Sequence, residues 1–124
     1  MSTPVEIQAG NTTLRAELDA TPTAKSIVDM LPMTVQMSRW GDEYYGSIGR
    51  TFSLESDARD LMKVGELAYW PQGQALCIFF GPTPMSSGSE PVAASAVNPV
   101  GRIVDDITPL REMGSSVTVE LRKV

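Results

Sequence analysis

Residues 75–80 read ALCIFF, six apolar residues with no polar interruption. A strand exposed on one face alternates apolar and polar residues, so an unbroken run needs cover on both faces. That demands a central strand in a closed or double-layered sheet. Leu67–Trp70 precedes the run as its partner strand, joined through Pro71-Gln72-Gly73-Gln74, with glycine expected at the positive-φ position of the turn. Pro82 and Pro84 stop the run, because proline cannot donate to a strand ladder. Phe79 and Phe80 are neighbours on a strand and point to opposite faces. One fills the interior and the other faces a capping helix or an outer groove.

The rest of the chain supplies short elements to surround that strand. Val5 and Ile7 alternate with Glu6 and Gln8; Gly10-Asn11 offers the positive φ angles of a two-residue turn; Thr12–Leu18 returns with Leu14, Ala16 and Leu18 on one face. Thr21 caps a helix that has Pro22 at its first position. Ala24, Ile27, Val28 and Leu31 form its apolar stripe, and Pro32 ends it. Met33, Val35 and Met37 share a strand face on which period two also places Arg39. A guanidinium is too costly to bury alone, so the strand bends there or Arg39 lies at a rim beside water or a carboxylate. Gly41-Asp42 makes a tight turn, and residues 43–49 form a strand that Gly46 weakens or kinks.

Residues 53–64 suit a loop or one helical turn around Ala58, Leu61 and Met62. Residues 85–97 are rich in Ser, Ala and Gly, and read as a long exposed loop, either a lid or disordered. A strand at 101–105, a helical turn at 108–114 closed by Gly114, and a half-buried strand around Val117, Val119 and Leu121 complete the chain. About eight short strands with one or two short helices predict a mainly β fold in one domain, residues 1–124. A closed antiparallel barrel is preferred to a sandwich, since closure removes exposed edges and leaves an open end for the helix stripe to cap.

Composition then removes whole classes of function. The chain has no histidine, which excludes Ser-His-Asp and Cys-His chemistry and any His-ligated metal. Its one cysteine, Cys77, cannot form an intrachain disulfide and sits in an apolar run, as a buried thiol does. A net charge of −5 with scattered Lys and Arg argues against nucleic acid or anionic membrane as partners. No apolar run reaches the ~18 residues a membrane span needs. The first residues lack the features of a signal peptide. A cytoplasmic location is expected, with no cofactor. Asp105-Asp106 is a solvated turn rather than a cation site, far short of the ~6–8 oxygens Ca²⁺ takes.

Four segments carry a likeness: ATPTAKSIVDMLP at 20–32, RWGDEYYG at 39–46, VGELAYWPQGQALCIFFGPTP at 64–84 and NPVGRI at 98–103. Together they resemble the cyclophilin-like family of small bacterial and archaeal proteins of unassigned function. The resemblance implies a closed, roughly eight-stranded antiparallel barrel capped by short helices, like that of the cyclophilin peptidyl-prolyl isomerases. It does not carry their activity, because a fold hosts many functions. The signature of true cyclophilins, an arginine before a phenylalanine and a Gln-Gly-Gly stretch, is not present at that spacing.

Two constellations are candidates for a ligand site. Arg39, Glu43, Tyr44 and Tyr45 offer a cation, an acid and two amphipathic rings, suited to a carboxylate or a peptide carbonyl. The competing structural account is an Arg39–Glu43 rim pair beside core tyrosines. Tyr44 and Tyr45 must point oppositely, and the sequence does not say which faces a groove. Phe79, Phe80, Gly81, Thr83 and Pro84 form the second candidate, with Phe80 and Thr83 as its ligand-binding residues; its structural account is core packing and strand termination.

Three functions follow. The first is a module that binds a peptide or small molecule near Arg39 and Tyr45. The second is a peptidyl-prolyl cis-trans isomerase with Arg39, or Arg102, hydrogen-bonding the twisting amide whose barrier is ~18–20 kcal/mol. The third is an assembly protein whose seven methionines suit an adaptable surface. Oligomeric state is left open.

Overall fold

In the computed structural model, which describes residues 2–124, all strand pairings are antiparallel. The elements are β1 (Thr3–Ala9), β2 (Thr12–Leu18), α1 (Pro22–Asp29), β3 (Met33–Arg39), β4 (Glu43–Ser47), β5 (Arg59–Leu61), β6 (Glu66–Trp70), β7 (Ala75–Phe79), β8 (Val92–Ile103), α2 (Thr108–Arg111) and β9 (Ser116–Lys123). The sheet runs β2-β1-β9-β3-β4-β7-β6-β8-β5, and a further pairing joins β2, at one end, to β8, next to the other. Eight strands therefore close a barrel-like ring, and β5 stands outside it. No helix among the described residues is long and apolar enough to cross a membrane.

The local rules produce most of these elements. Ala9 pairs with Thr12 across the Gly10-Asn11 turn, with only Gly10 at positive φ (58°). The Thr21 hydroxyl accepts the Ala24 N–H at 3.2 Å, Pro22 opens α1, and Ala24 and Ile27 bury fully against the ring interior.

β7 is buried along its whole length. Leu76 and Ile78 join the interior core, with Phe80 just beyond the strand. Ala75, Cys77 and Phe79 join a second cluster outside the ring with Met62, Ala68, Ala93 and Val97. The layer that covers them was not visible in the sequence. Residues 92–97 are not an exposed loop but the first half of β8, with Ala93 and Val97 buried. This half pairs with β5, a short strand within the 53–64 segment for which a loop or one helical turn was expected. The second half of β8 pairs with β6 and with β2 in the ring. The change of partner falls between Val97 and Asn98, and the β6–β8 register slips just after Pro99, at Val100; a bulge is where a strand tolerates proline.

The 71–74 turn also differs from expectation. Pro71–Gly73 is a 3-10 turn, and Gln74 takes the left-handed conformation at φ 48°. Gly73 is required for space instead: a Cβ there would lie 2.8 Å from the Trp70 ring.

Ring closure depends on close approach of β8 to β2 at Gly101. A Cβ at 101 would lie 3.0 Å from the Cα of Leu18, backbone that cannot retreat without breaking the ladder. Gly101→Ala is expected to lower stability by about 1–3 kcal/mol. Gly88→Ala, with nothing within 4 Å, should change it by less than about 0.5 kcal/mol. Guanidinium chloride unfolding of both variants checks this; equal midpoints would contradict it.

Candidate functional site

The outer face of the β4–β7–β6 wall carries a groove whose lining follows from register. At the tip of the β3–β4 hairpin, Trp40 N–H donates to the Glu43 carbonyl at 2.8 Å and Glu43 N–H to the Trp40 carbonyl at 3.2 Å. Residues opposed in this way project side chains on one face. Period two adds Tyr45 to that face, and the β4–β7 register sets Cys77 opposite Tyr45 and Phe79 opposite Glu43. Trp70 enters from β6, opposite Ala75. The first half of β8 supplies the facing wall.

Between them lies a cavity of about 230 Å³ lined by Trp40, Glu43, Tyr45, Trp70, Ala93, Ala94 and Val97. The Trp70 indole is fixed from two sides, by its N–H donating to Ser95 Oγ at 2.7 Å and by the close approach of Gly73.

Glu43 is the polar group of this apolar cavity. It is only 5% exposed, and its Oε1 has no hydrogen-bond partner among the described residues. Burial disfavours the carboxylate and pushes its pKa up to about 7. The Cys77 thiol opposes that rise by hydrogen bonding. It has one proton to give, however, and the Ala75 carbonyl, 4.0 Å from its sulfur, competes for it. The Cys77 pKa is itself pushed well up, first by burial and then by Glu43, which leaves the thiol unreactive.

Other acids of the fold have partners supplied by the chain. Glu66 meets Arg59 at 2.6 Å, Asp42 meets Arg39 at 2.7 Å, and Glu55 accepts the Thr23 amide at 2.9 Å. Near neutral pH the Glu43 carboxyl is divided between a donor form and an acceptor form, and both present a polar atom to whatever fills the cavity. The described residues hold no cluster of three or more His, Cys, Asp or Glu able to bind a metal ion.

The six candidates from the sequence do not converge on one cleft. Arg39, Tyr44 and Phe80 meet on the interior side of the wall. The Arg39 guanidinium lies 5.0 Å from the centre of the Phe80 ring and 5.8 Å from that of Tyr44, and the two rings stack at 5.3 Å. Arg39 donates to the carbonyls of Gly41 (2.8 Å), Arg111 (3.1 Å) and Met113 (2.8 Å) and pairs with Asp42. The anticipated Arg39–Glu43 pair does not form, because the pleat sends Glu43 to the other face.

The Tyr44 hydroxyl donates to the Gly114 carbonyl at 2.6 Å, so Tyr45 is the tyrosine of the groove. Thr83 is buried as a loop strut, its hydroxyl donating to the Val92 carbonyl and its amide to Ser86 Oγ at 2.9 Å. Arg102 pairs with Glu17 at 3.2 Å on the exterior.

Trp40, Trp70, Ala93, Ala94 and Val97 were not anticipated. Trp40 was within reach of the turn rule, since it is the closing partner of Glu43 across Gly41-Asp42. The three β8 residues carried no such signal.

Comparison with known proteins agrees with this architecture. The model of the family described as cyclophilin-like matches residues 3–122. The solution structure of the hypothetical protein AF2241 from Archaeoglobus fulgidus is 32% identical, with a TM-score of 0.81, over 99% of this chain and 95% of that one. Among curated proteins none matches.

The raised pKa of Glu43 makes stability depend on pH. Unfolded, the carboxyl ionises near 4.5; folded, it holds its proton to about 7. Between those values the native state binds more protons, so stability falls as pH rises and levels off above 7. The contribution is about 3 kcal/mol at most. Asp105 and Asp106 are held below their usual range and act only at more acid pH. Urea unfolding from pH 4.5 to 8 should show this decline, and Glu43→Gln should remove most of it. An identical decline in the variant would contradict the assignment.

Proposed function

The chain belongs to the cyclophilin-like family, and we propose that it is a binding module whose ligand enters the outer groove between the β3–β4 hairpin and the first half of β8. One observation carries this reading: the Glu43 carboxyl is buried without a partner for Oε1 at the wall of an apolar cavity. An unsatisfied buried polar group costs about 1–3 kcal/mol. A ligand that supplies the missing hydrogen bond recovers that energy on binding, whereas water in so apolar a cavity finds few other partners.

Trp40, Tyr45 and Trp70 add flat contact area at low entropic cost, and Trp70 is already held in place. The volume of about 230 Å³ lies below the ~300–1,000 Å³ of drug-sized sites. It suits one side chain of a peptide or a compact small molecule. Arg39, on which an isomerase mechanism would rest, has four of its five N–H donors engaged within the fold and lies on the other face of the wall from this groove.

The test is a ¹⁵N NMR titration with Ala-Pro amide and a set of amino-acid amides. Binding in the groove shifts the indole N–H signals of Trp40 and Trp70 and the amides of Tyr45 and Ala94. Ala94→Phe, at an exposed position of the groove wall, should fill the cavity and weaken binding at least about tenfold. Shifts confined elsewhere, or binding unchanged in Ala94→Phe, would overturn the proposal.

A further inference from the structure

We propose that the group this groove receives is an organic ammonium, an alkylated or quaternary amine, with its positive charge against Glu43 and its alkyl groups against Trp40, Tyr45 and Trp70. This rests on the groove being a binding site and names the chemistry it selects. The argument begins from what surrounds Glu43. Across the hairpin stands Trp40; on its own strand, Tyr45; from β7, Cys77 and Phe79; from β6, Trp70; from β8, Ala93, Ala94 and Val97. The titratable groups in that set are the Cys77 thiol and the Tyr45 phenol, and none of the set is cationic. The nearest guanidinium along the chain, Arg39, faces the interior and is paired with Asp42.

An anionic ligand would therefore enter beside a carboxyl with no cation to hold it, in a chain of net charge −5. A wholly apolar ligand would leave the carboxyl unsatisfied and more deeply buried. An organic ammonium removes both penalties: its charge compensates the carboxylate, and an N–H, or in a quaternary ion a neighbouring hydroxyl such as that of choline, donates to the unpartnered Oε1. It pairs with the carboxylate in a low-dielectric site, and the faces of two tryptophans and a tyrosine attract it through their quadrupoles. The small side chains of Ala93 and Ala94 leave the facing wall without bulk where alkyl groups would sit. Glu66, Asp42 and Asp105 each draw an arginine from the chain itself; Glu43 takes its cation from outside.

Choline and 3,3-dimethylbutan-1-ol distinguish charge from shape, since the alcohol has the same branched form with a neutral carbon in place of nitrogen. Both are titrated at pH 8, following the Trp40 and Trp70 indole signals. Choline is expected to bind at least about tenfold more tightly. Its affinity should fall roughly tenfold from pH 8 to pH 6, in step with the ionised fraction of a group titrating at about 7. Glu43→Gln, shown folded by its melting curve, should lose both the preference and the pH dependence.

Equal affinities, tighter binding of the alcohol, or no response to choline would overturn the ammonium assignment. Those results leave the groove itself to the amide titration above, so the two proposals fail separately.

Discussion

β7 has apolar side chains on both faces, and burying both sets at once is the constraint that shapes the molecule. The inner set, Leu76 and Ile78, needs a closed ring around it. The outer set, Ala75, Cys77 and Phe79, needs a second layer, which Met62, just past β5, and the first half of β8 provide. A covering layer over a strand ladder has an edge. Where this one meets the β3–β4 hairpin tip, the covering residues are alanines and the wall residues are Trp40, Tyr45 and Trp70. The groove is the margin of the outer core.

Polar side chains fix where that layer begins. Asn98, fully buried at the point where β8 changes partner, accepts from the Glu55 amide at 2.8 Å and donates to Thr23 Oγ1 at 3.1 Å and to the Ser53 carbonyl at 2.9 Å. One amide thus ties β8 to α1 and to the loop before β5. Thr83 anchors the other end of the arm at Val92. Arg39 plays the same part on the interior side of the wall, binding the hairpin tip to the end of α2 and the residues just after it. Satisfied networks of this kind specify a geometry because breaking one member strands the others. Glu43 contrasts with them: as buried as Asn98 and Thr83, it has an oxygen left over.

Much of this was legible beforehand because it depends on periods and caps. Alternation located most of the ring strands, Thr21-Pro22 placed the start of α1, and the uninterrupted run at 75–80 implied cover on both faces. The pleat alone divided Phe79 from Phe80. Applied to Arg39 and the Gly41-Asp42 turn, the same rule sets Arg39 opposite Tyr44 on one face and Trp40 opposite Glu43 on the other. The site is thereby reduced to its outer half. The arm at 92–97 was not legible: VAASAV has no periodicity, and its strand character comes from pairing with a three-residue β5 and packing on distant side chains. Nor was Gln74, which takes the left-handed position beside a glycine needed for the Trp70 ring.

The central claim is that Glu43 is a buried acid whose chain supplies no counter-charge. Its titration can be observed directly by following the side-chain carboxyl carbon in ¹³C-labelled protein, assigned by its disappearance in Glu43→Gln. The account predicts a midpoint near 7, the value to which burial raises it. A midpoint between about 4 and 5, the ordinary glutamate range, would mean that the carboxyl is solvated or already partnered. The groove would then lose the polar group on which its proposed function rests.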